Sequence, residues 1–207
     1  VSLDALRAGD SQAAVAALRP MAGAFSEDIA QSIGVLHEIA QALHANRVRR
    51  GGMDFESEEA KVRLNDEGAP VSVAIRRKTD ATALVEEAMI AANEAVARFL
   101  RDAGIPSIFR VHEPPSSGDL AELVPILQEF GYDRHVSLAN FKAGDPFAIQ
   151  QVLIFARGRS EEFLVSSLVV RAMKRAVYVD SCEGHFGLAS TAYTHFTSPI
   201  RRYPDLM

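Results

Sequence analysis

The sequence predicts an α+β fold. Two stretches, about 26–50 and 80–102, repeat apolar residues at steps of three and four, which is typical of amphipathic helices. Between them, 60–65 and 71–75 alternate apolar and polar residues on either side of the turn sequence NDEG, which indicates a β-hairpin. Hydrophobic residues make up 48% of the 207 residues, so a sizeable core can form. We therefore expect a mixed sheet with surrounding helices.

Ordinary start and stop signals bound the first helix. Ser26 is a good N-cap, acidic residues follow it in the first turn, and Gly51 and Gly52 end the helix. The spacing predicts one buried apolar face made of Ile29, Ile33, Leu36, Ala40 and Leu43.

The second helix is predicted to end before Gly104. Its expected apolar face consists of Val85, Met89, Ala92, Val96 and Phe99. A strand over 105–112 should follow, and then a helix that ends near Gly131. Pro125 should either kink this helix or delay its start. Further helices are predicted over 147–155 and 161–177, and irregular or strand-like structure over 179–197.

The composition excludes several classes of protein. A single cysteine, Cys182, excludes an internal disulfide and a zinc site built from cysteines. No apolar run approaches the ~20 residues of a membrane span, so we expect a cytoplasmic protein without membrane contact. The net charge of −5 argues against a protein that coats nucleic acid electrostatically. It does not exclude an enzyme that draws one strand into a narrow channel.

Acidic residues cluster in two places. The run over 54–59 reads most simply as a solvated, charged segment beside the hairpin. Glu86 and Glu87 differ, because on a helix that packs by its Val85 face at least one of them lies near the core boundary. A carboxylate in that position needs a partner, which could be a substrate hydroxyl or an internal arginine. We expect Glu86 to face substrate and Glu87 to lie on the helix surface.

The densest chemistry lies in the segment 193–206, YTHFTSPIRRYPDL. Arg201 and Arg202 precede a helix start at Pro204, where free N–H groups attract anions. Thr197 and Ser198 add hydroxyl donors, and aromatic residues such as Tyr193 offer rings on which bases could stack. A capped helix start with its arginines paired to carboxylates explains the same pattern about equally well.

This segment closely resembles the signature of the ribonuclease II/R (RNB) family. Two further blocks resemble that family in the same order, RGGMDFESEEA over 50–60 and LVEEAMIAAN over 84–93. The resemblance covers most of the chain and is closer to ribonuclease R than to ribonuclease II. It favours the RNA-site interpretation of 193–206 over the structural one.

The resemblance implies a processive 3′→5′ exoribonuclease that hydrolyses single-stranded RNA to nucleoside 5′-monophosphates with Mg²⁺. The fold would be an RNB-type domain with a deep channel. Arg201 matches an arginine that neutralises the scissile phosphate, Phe55 an aromatic residue that stacks on terminal bases, and Glu86 a carboxylate near the RNA 3′ end. Tyr193, Thr197, Ser198 and Arg202 are the further expected RNA contacts.

The family's metal-binding aspartates lie upstream of the segments that match. We therefore expect residues 1–207 to be the C-terminal portion of an RNB catalytic domain, with no metal ligands of their own and no hydrolysis by the chain alone. The alternatives are a non-catalytic RNB-like module that binds RNA or a partner, and a purely structural domain whose arginines are paired. The sequence does not indicate an oligomeric state.

Overall fold

A computed structural model describes residues 27–55, 59–76 and 78–197 of the chain. Within these ranges helices and short strands are mixed, which confirms the α+β class. The chain divides into two compact units, whose described residues are 27–45 with 59–76 and 78–89, and 46–55 with 90–197. The helices are α1 (Glu27–Arg49), α2 (Asp80–Asp102), α3 (Ser117–Glu129), α4 (Leu138–Lys142), α5 (Pro146–Ala156) and α6 (Glu162–Ala172).

The predicted hairpin is present in the first unit. Strands β1 (Glu59–Leu64) and β2 (Pro70–Arg76) pair antiparallel, with Val62 opposite Val73. The side chain of Asn65 accepts hydrogen bonds from the backbone N–H groups of Glu67 and Ala69, which closes the turn.

The second unit contains a two-stranded sheet of its own. Strands β3 (Phe109–Val111) and β4 (Val177–Val179) pair antiparallel, and an isolated parallel bridge joins His112 to His185. In the described ranges the strands thus form two separate antiparallel pairs, and the expected strand over 105–112 is shorter than predicted. Helix α6 also ends earlier than predicted, because the backbone is extended at Met173 and the chain continues into β4.

Helices α3 to α6 enclose the main hydrophobic cluster. Its fully buried members include Leu120, Tyr132, Phe141, Ile149 and Val152. Side-chain caps fix where three of these helices begin: Ser116 at α3, Ser137 at α4 and Asp145 at α5. Helix α4 was not predicted from the sequence, and α3 contains Pro125 without ending there.

The predicted apolar faces of α1 and α2 are wrong in part: Ala40 is buried as expected, but other predicted members are exposed. Ile29 and Leu36 are exposed on α1, and Val85 and Phe99 are exposed on α2. The buried positions instead include several polar or charged side chains: His37 and Arg47 on α1, and Glu87, Asn93 and Glu94 on α2. Periodicity located the helices correctly but did not predict all of their buried positions. A polar side chain can be buried where it finds hydrogen-bond partners, and apolar periodicity does not report those positions.

No helix among the described residues is long and apolar enough to cross a membrane.

Candidate functional site

Asn93 is the centre of a buried hydrogen-bond network in the second unit. Its side chain is 2% exposed, and its Oδ1 accepts from the backbone N–H of Phe196 at 3.0 Å and that of Thr197 at 2.9 Å. The hydroxyl of Thr197 donates to the same Oδ1 at 3.0 Å, and Asn93 Nδ2 donates to the hydroxyl of Tyr193 at 3.0 Å. One side chain of α2 therefore holds three residues of the segment 193–197.

The other side of this segment is held by the chain leading into β3. The backbone N–H of Arg110 donates to the carbonyl of Tyr193 at 2.9 Å. The hydroxyl of Thr194 donates to the carbonyl of Ile108 at 2.7 Å, and Thr194 itself is buried. Four of the five residues before Ser198 are thus bonded to α2 or to the β3 region.

Rings of histidine and tyrosine pack around Tyr193. Its ring centroid lies 5.3 Å from that of His185 and 5.9 Å from that of His195, both in edge-to-face arrangements. His195 Nδ1 lies 2.6 Å from the hydroxyl of Tyr178, and the guanidinium of Arg110 lies 4.9 Å from the ring centroid of Tyr178. The segment therefore has ring contacts in addition to its hydrogen bonds.

These contacts correct two expectations. Tyr193 is buried at 8% exposure, which argues against a ring that stacks on a base. The hydroxyl hydrogen of Thr197 is donated to Asn93 and so is not free to bind a phosphate in this arrangement. The expectations rested on residue type, which does not show where a hydroxyl group is bonded. In the structure both hydroxyl groups are bonded to the buried amide of Asn93.

Two histidines beside this network have lowered pKa values. Burial chiefly, and then the charges of His112 and Arg110, lower the pKa of His185 to about 3. Burial also lowers the pKa of His112. His112 Nδ1 accepts from the backbone N–H of Gly187 at 2.9 Å, so its other nitrogen, Nε2, carries the hydrogen that is donated to the carbonyl of Lys174 at 2.8 Å.

His185 Nδ1 is buried, and no described residue hydrogen-bonds to it. A charged His185 would therefore place an unpartnered donor beside its ring neighbours.

Phe55 follows α1 in an anchored segment. Arg47 is 2% exposed and forms an ion pair with Asp54 at 2.7 Å, while its other terminal nitrogen donates to the carbonyl of Met53 at 3.2 Å. Gln150 of α5 donates to the carbonyl of Gly52 at 2.8 Å. The backbone before Phe55 is thereby attached to both α1 and α5.

The expectation that Phe55 stands clear of the core is wrong in part. The side chain is half-buried and packs against the main hydrophobic cluster. Its acidic neighbour Asp54 does not prevent this, because that carboxylate is paired with Arg47. The exposed part of Phe55 leaves base stacking possible, and that role stays a prediction.

The burial of Glu87 differs from the expectation, since it is Glu87 that is buried and Glu86 that is exposed. Glu87, predicted to lie on the surface, is 4% exposed. It lies seven residues before Glu94, and therefore two turns earlier on the same buried side of α2. Glu86 is exposed and pairs with Lys78 at 2.7 Å, within the first unit. An exposed carboxylate remains accessible to a ligand, so the proposed substrate contact of Glu86 stays a prediction.

Three of the predicted site residues, Ser198, Arg201 and Arg202, lie outside the described residues. Asn93 and Tyr178 were missed as site residues by the sequence reasoning. A signal for Asn93 existed: it is an amide that directly follows the apolar run MIAA, where a buried side chain without a partner would be costly.

Over the ranges that the structure describes, no group of three or more histidine, cysteine, aspartate or glutamate side chains could hold a metal ion. The described residues thus offer no such cluster for the Mg²⁺ that the resemblance implies.

Comparisons with known proteins identify the family of the chain. The family model of the RNB domain matches residues 4–207. Ribonuclease R of Thermotoga maritima is 43% identical over 171 residues, which is 82% of this chain and 24% of the relative. Ribonuclease R of Escherichia coli K12 is 39% identical over 171 residues, which is 83% of this chain and 20% of the relative. The chain thus spans about a fifth to a quarter of these relatives.

Among solved structures, Mycoplasma genitalium RNase R in complex with ribose-methylated single-stranded RNA has a TM-score of 0.74 and 27% identity. That match covers 87% of this chain and 28% of the other. Yeast Ssd1, described as a pseudonuclease, matches with a TM-score of 0.54 and 20% identity over 83% of this chain and 21% of the other, which shows a shared fold alone. Because the RNB model matches nearly the whole chain, the protein belongs to the RNB domain family.

Proposed function

We propose that this chain is the C-terminal portion of the catalytic domain of a 3′→5′ exoribonuclease that hydrolyses single-stranded RNA to nucleoside 5′-monophosphates. The observation that carries the proposal is the 39–43% identity to ribonuclease R over more than four fifths of the chain. The single cysteine among 207 residues agrees with a reducing compartment, and we propose that the protein acts in the cytoplasm.

In the proposed reaction Arg201 is the catalytic residue. Hydrolysis of a phosphodiester builds negative charge on its non-bridging oxygens, and a guanidinium can bind two of them through parallel hydrogen bonds. Arg201 follows Thr197 by four residues, so the network around Asn93 lies immediately before it in the sequence. Ser198 and Arg202 would contribute further phosphate contacts.

We assign the other candidate residues to two groups. Phe55 and Glu86 are the proposed RNA contacts, by stacking on a base and by hydrogen bonding to a sugar hydroxyl. Tyr193 and Thr197 would support the site from within the fold, since their hydroxyls are bonded to Asn93. Mg²⁺ is the proposed cofactor, and when bound it would neutralise phosphate charge. We expect its ligands mainly upstream of this chain.

The test uses the full-length protein and three labelled substrates: a linear RNA, a DNA of the same sequence and a circular RNA. We expect stepwise shortening of the linear RNA from its 3′ end, with mononucleotide release from a 3′-labelled strand. The DNA and the circle should stay intact, since one lacks 2′-hydroxyls and the other has no 3′ end. Cleavage of the circle would indicate an endonuclease and overturn the proposal.

A second candidate is a non-catalytic RNB-like module that binds RNA. It is favoured by the fold shared with a protein described as a pseudonuclease. Binding of the linear RNA with no release of nucleotides in the same experiment would support this second candidate over the first.

A further inference from the structure

We infer that Asn93 is a positioning residue for Arg201: by fixing the backbone at Phe196 and Thr197, it sets the starting point of the segment that carries the arginine. The inference rests on the proposed function, in which Arg201 contacts the scissile phosphate. It assigns a role in the reaction to a side chain of α2 that is 2% exposed and therefore has no route to the RNA itself.

The hydrogen bonds of Asn93 are directed at backbone as well as side chain. Two of the three donors to its Oδ1 are consecutive backbone N–H groups, those of Phe196 and Thr197. A side chain that holds two successive N–H groups fixes the position and the direction of the chain at that point. The third donor, the hydroxyl of Thr197, fixes the rotamer of the last residue before Ser198.

Asparagine suits this position better than its close analogues. Leucine has a similar volume but would leave two backbone N–H groups without the acceptor that they have in these part-buried bonds, which costs free energy. Aspartate offers oxygen acceptors but would place a charge at a nearly unexposed site, and it could not donate to Tyr193. The amide supplies a neutral acceptor on one side and a donor, at 3.0 Å from the Tyr193 hydroxyl, on the other.

The rest of the second unit makes this anchor rigid. The carbonyl of Tyr193 and the hydroxyl of Thr194 are bonded to the β3 region at 2.9 and 2.7 Å. Residues 193–197 are consequently held at both edges, and Thr197, the last described residue, is bonded to α2. A loss of Asn93 would release Phe196 and Thr197 while Tyr193 and Thr194 stay attached to β3.

The expected effect falls on turnover more than on binding. A displacement of about 1 Å at a group that acts in the transition state can cost ~10²-fold in rate. RNA is bound by many groups, of which the segment after Thr197 supplies a few. We therefore expect Asn93→Ala in the full-length protein to lower kcat by about 10- to 100-fold while KM for single-stranded RNA changes less than about threefold.

A double-mutant cycle with Arg201→Ala separates positioning from general structural damage. If Asn93 acts through Arg201, then Asn93→Ala should lower kcat strongly in the wild-type background and by less than about twofold in the Arg201→Ala background. Equal losses in both backgrounds would overturn the inference. Asn140→Ala, at an exposed asparagine of α4, is the matched control, and we expect it to leave kcat unchanged.

Thr197→Val provides the second variant, in case Asn93→Ala does not fold. It removes one of the three donors to Asn93 Oδ1 and keeps both backbone N–H groups. We expect a smaller loss of kcat, about three- to tenfold, which likewise disappears in the Arg201→Ala background. A Thr197→Val loss that persists there overturns the inference.

The same assay separates this inference from the function on which it rests. Absence of nucleotide release by the wild-type protein would overturn the proposed function and the role of Asn93 with it. Wild-type turnover together with an unchanged kcat for a folded Asn93→Ala protein would overturn the role of Asn93 alone.

Discussion

The second unit contains both the hydrophobic cluster around Phe141 and the hydrogen-bond network around Asn93. Both central side chains are buried, but they are held by different kinds of contact. Phe141 is 0% exposed among apolar neighbours from α3 to α6. Asn93 is 2% exposed, and its contacts are single, directed hydrogen bonds to one short segment. Apolar packing tolerates many arrangements of similar volume, whereas directed bonds fix one geometry.

The two regions therefore contribute differently to the unit: one to its stability and the other to the position of a segment. The cluster supplies stability, because burial of apolar surface is the main favourable term in folding. The network contributes little net stability for each bond, about 0.5–1.5 kcal/mol, but determines where the chain before Ser198 lies. Substitutions in the cluster should therefore lower mainly the free energy of unfolding. Substitutions in the network, or in the segment that it holds, should lower mainly the turnover.

The largest expected effect is on the cluster. Phe141→Ala should lower the free energy of unfolding by about 3–5 kcal/mol, because it removes a fully buried ring and leaves a cavity. Phe163→Ala is the matched control, since that side chain is 85% exposed, and it should change stability by less than about 0.5 kcal/mol. Chemical denaturation measures both. A similar loss for the two variants would show that burial does not set the stability.

Arg201 should show the reverse pattern, with turnover affected and stability preserved. In the full-length protein we expect Arg201→Ala and Arg201→Lys both to lower kcat by ~10²–10³-fold, or ~3–4 kcal/mol in transition-state stabilisation, while RNA affinity largely survives. Lysine keeps the charge but lacks the two-pronged guanidinium.

Steady-state kinetics and filter binding test these two variants. The control is Arg175→Lys, at an exposed arginine in the segment between α6 and β4. Near-normal turnover of Arg201→Lys would show that charge alone matters there, and near-normal turnover of Arg201→Ala would remove Arg201 from the mechanism.

Sequence periodicity predicted the existence of the long helices and the hairpin, because those signals are local. It gave buried faces that are wrong in part, as Val85 and Glu87 illustrate: Val85 is 53% exposed and Glu87 is 4% exposed. Which face of a helix is buried depends on residues far away in sequence, such as the partners of Asn93 a hundred positions later. No local pattern contains that information.

The candidate site was predictable to a similar extent. The signature over 193–206 predicted a site in this segment, and that site stays a prediction, but the separate roles of Tyr193 and Thr197 could not be inferred from residue type. Tyrosine and threonine hydroxyls serve a ligand or the fold equally well, and here both are bonded to Asn93. The role of Phe55 likewise stays a prediction, and its contact with the cluster could not be foreseen, because the acidic neighbour Asp54 is paired with Arg47.

Phe55 lies at the margin of the cluster and so can separate packing from RNA binding. Phe55→Leu keeps an apolar side chain of similar size but removes the ring, so we expect RNA affinity to fall by about 1–3 kcal/mol, the usual value of one stacked base. Stability should fall by less than about 1.5 kcal/mol. Phe130→Leu, at another partly buried phenylalanine against the same cluster, is the matched control. Equal RNA affinity in the two variants would assign Phe55 to packing alone.

The smallest effect is expected at His185, beside the network, and it appears as a dependence of stability on pH. The pKa of His185 is lowered from 6.5 to about 3, chiefly by burial, so the folded chain keeps this imidazole neutral. Below pH 6.5 the unfolded chain binds a proton that the folded chain does not. The stability that comes from the neutral imidazole is therefore complete above pH 6.5 and declines as the pH falls toward 3.

At pH 5.5 the loss for His185 should be about 1.4 kcal/mol relative to neutral pH. His185→Gln removes the titrating group, so its free energy of unfolding should depend less steeply on pH between 5.5 and 7.5. Some dependence should persist, because the pKa of His112 is lowered in the same direction. Denaturation curves of the wild-type and variant chains at both pH values measure the difference. An equal dependence of the unfolding free energy on pH in both proteins would contradict this prediction. It would mean that His185 binds a proton as readily in the folded chain as in the unfolded one.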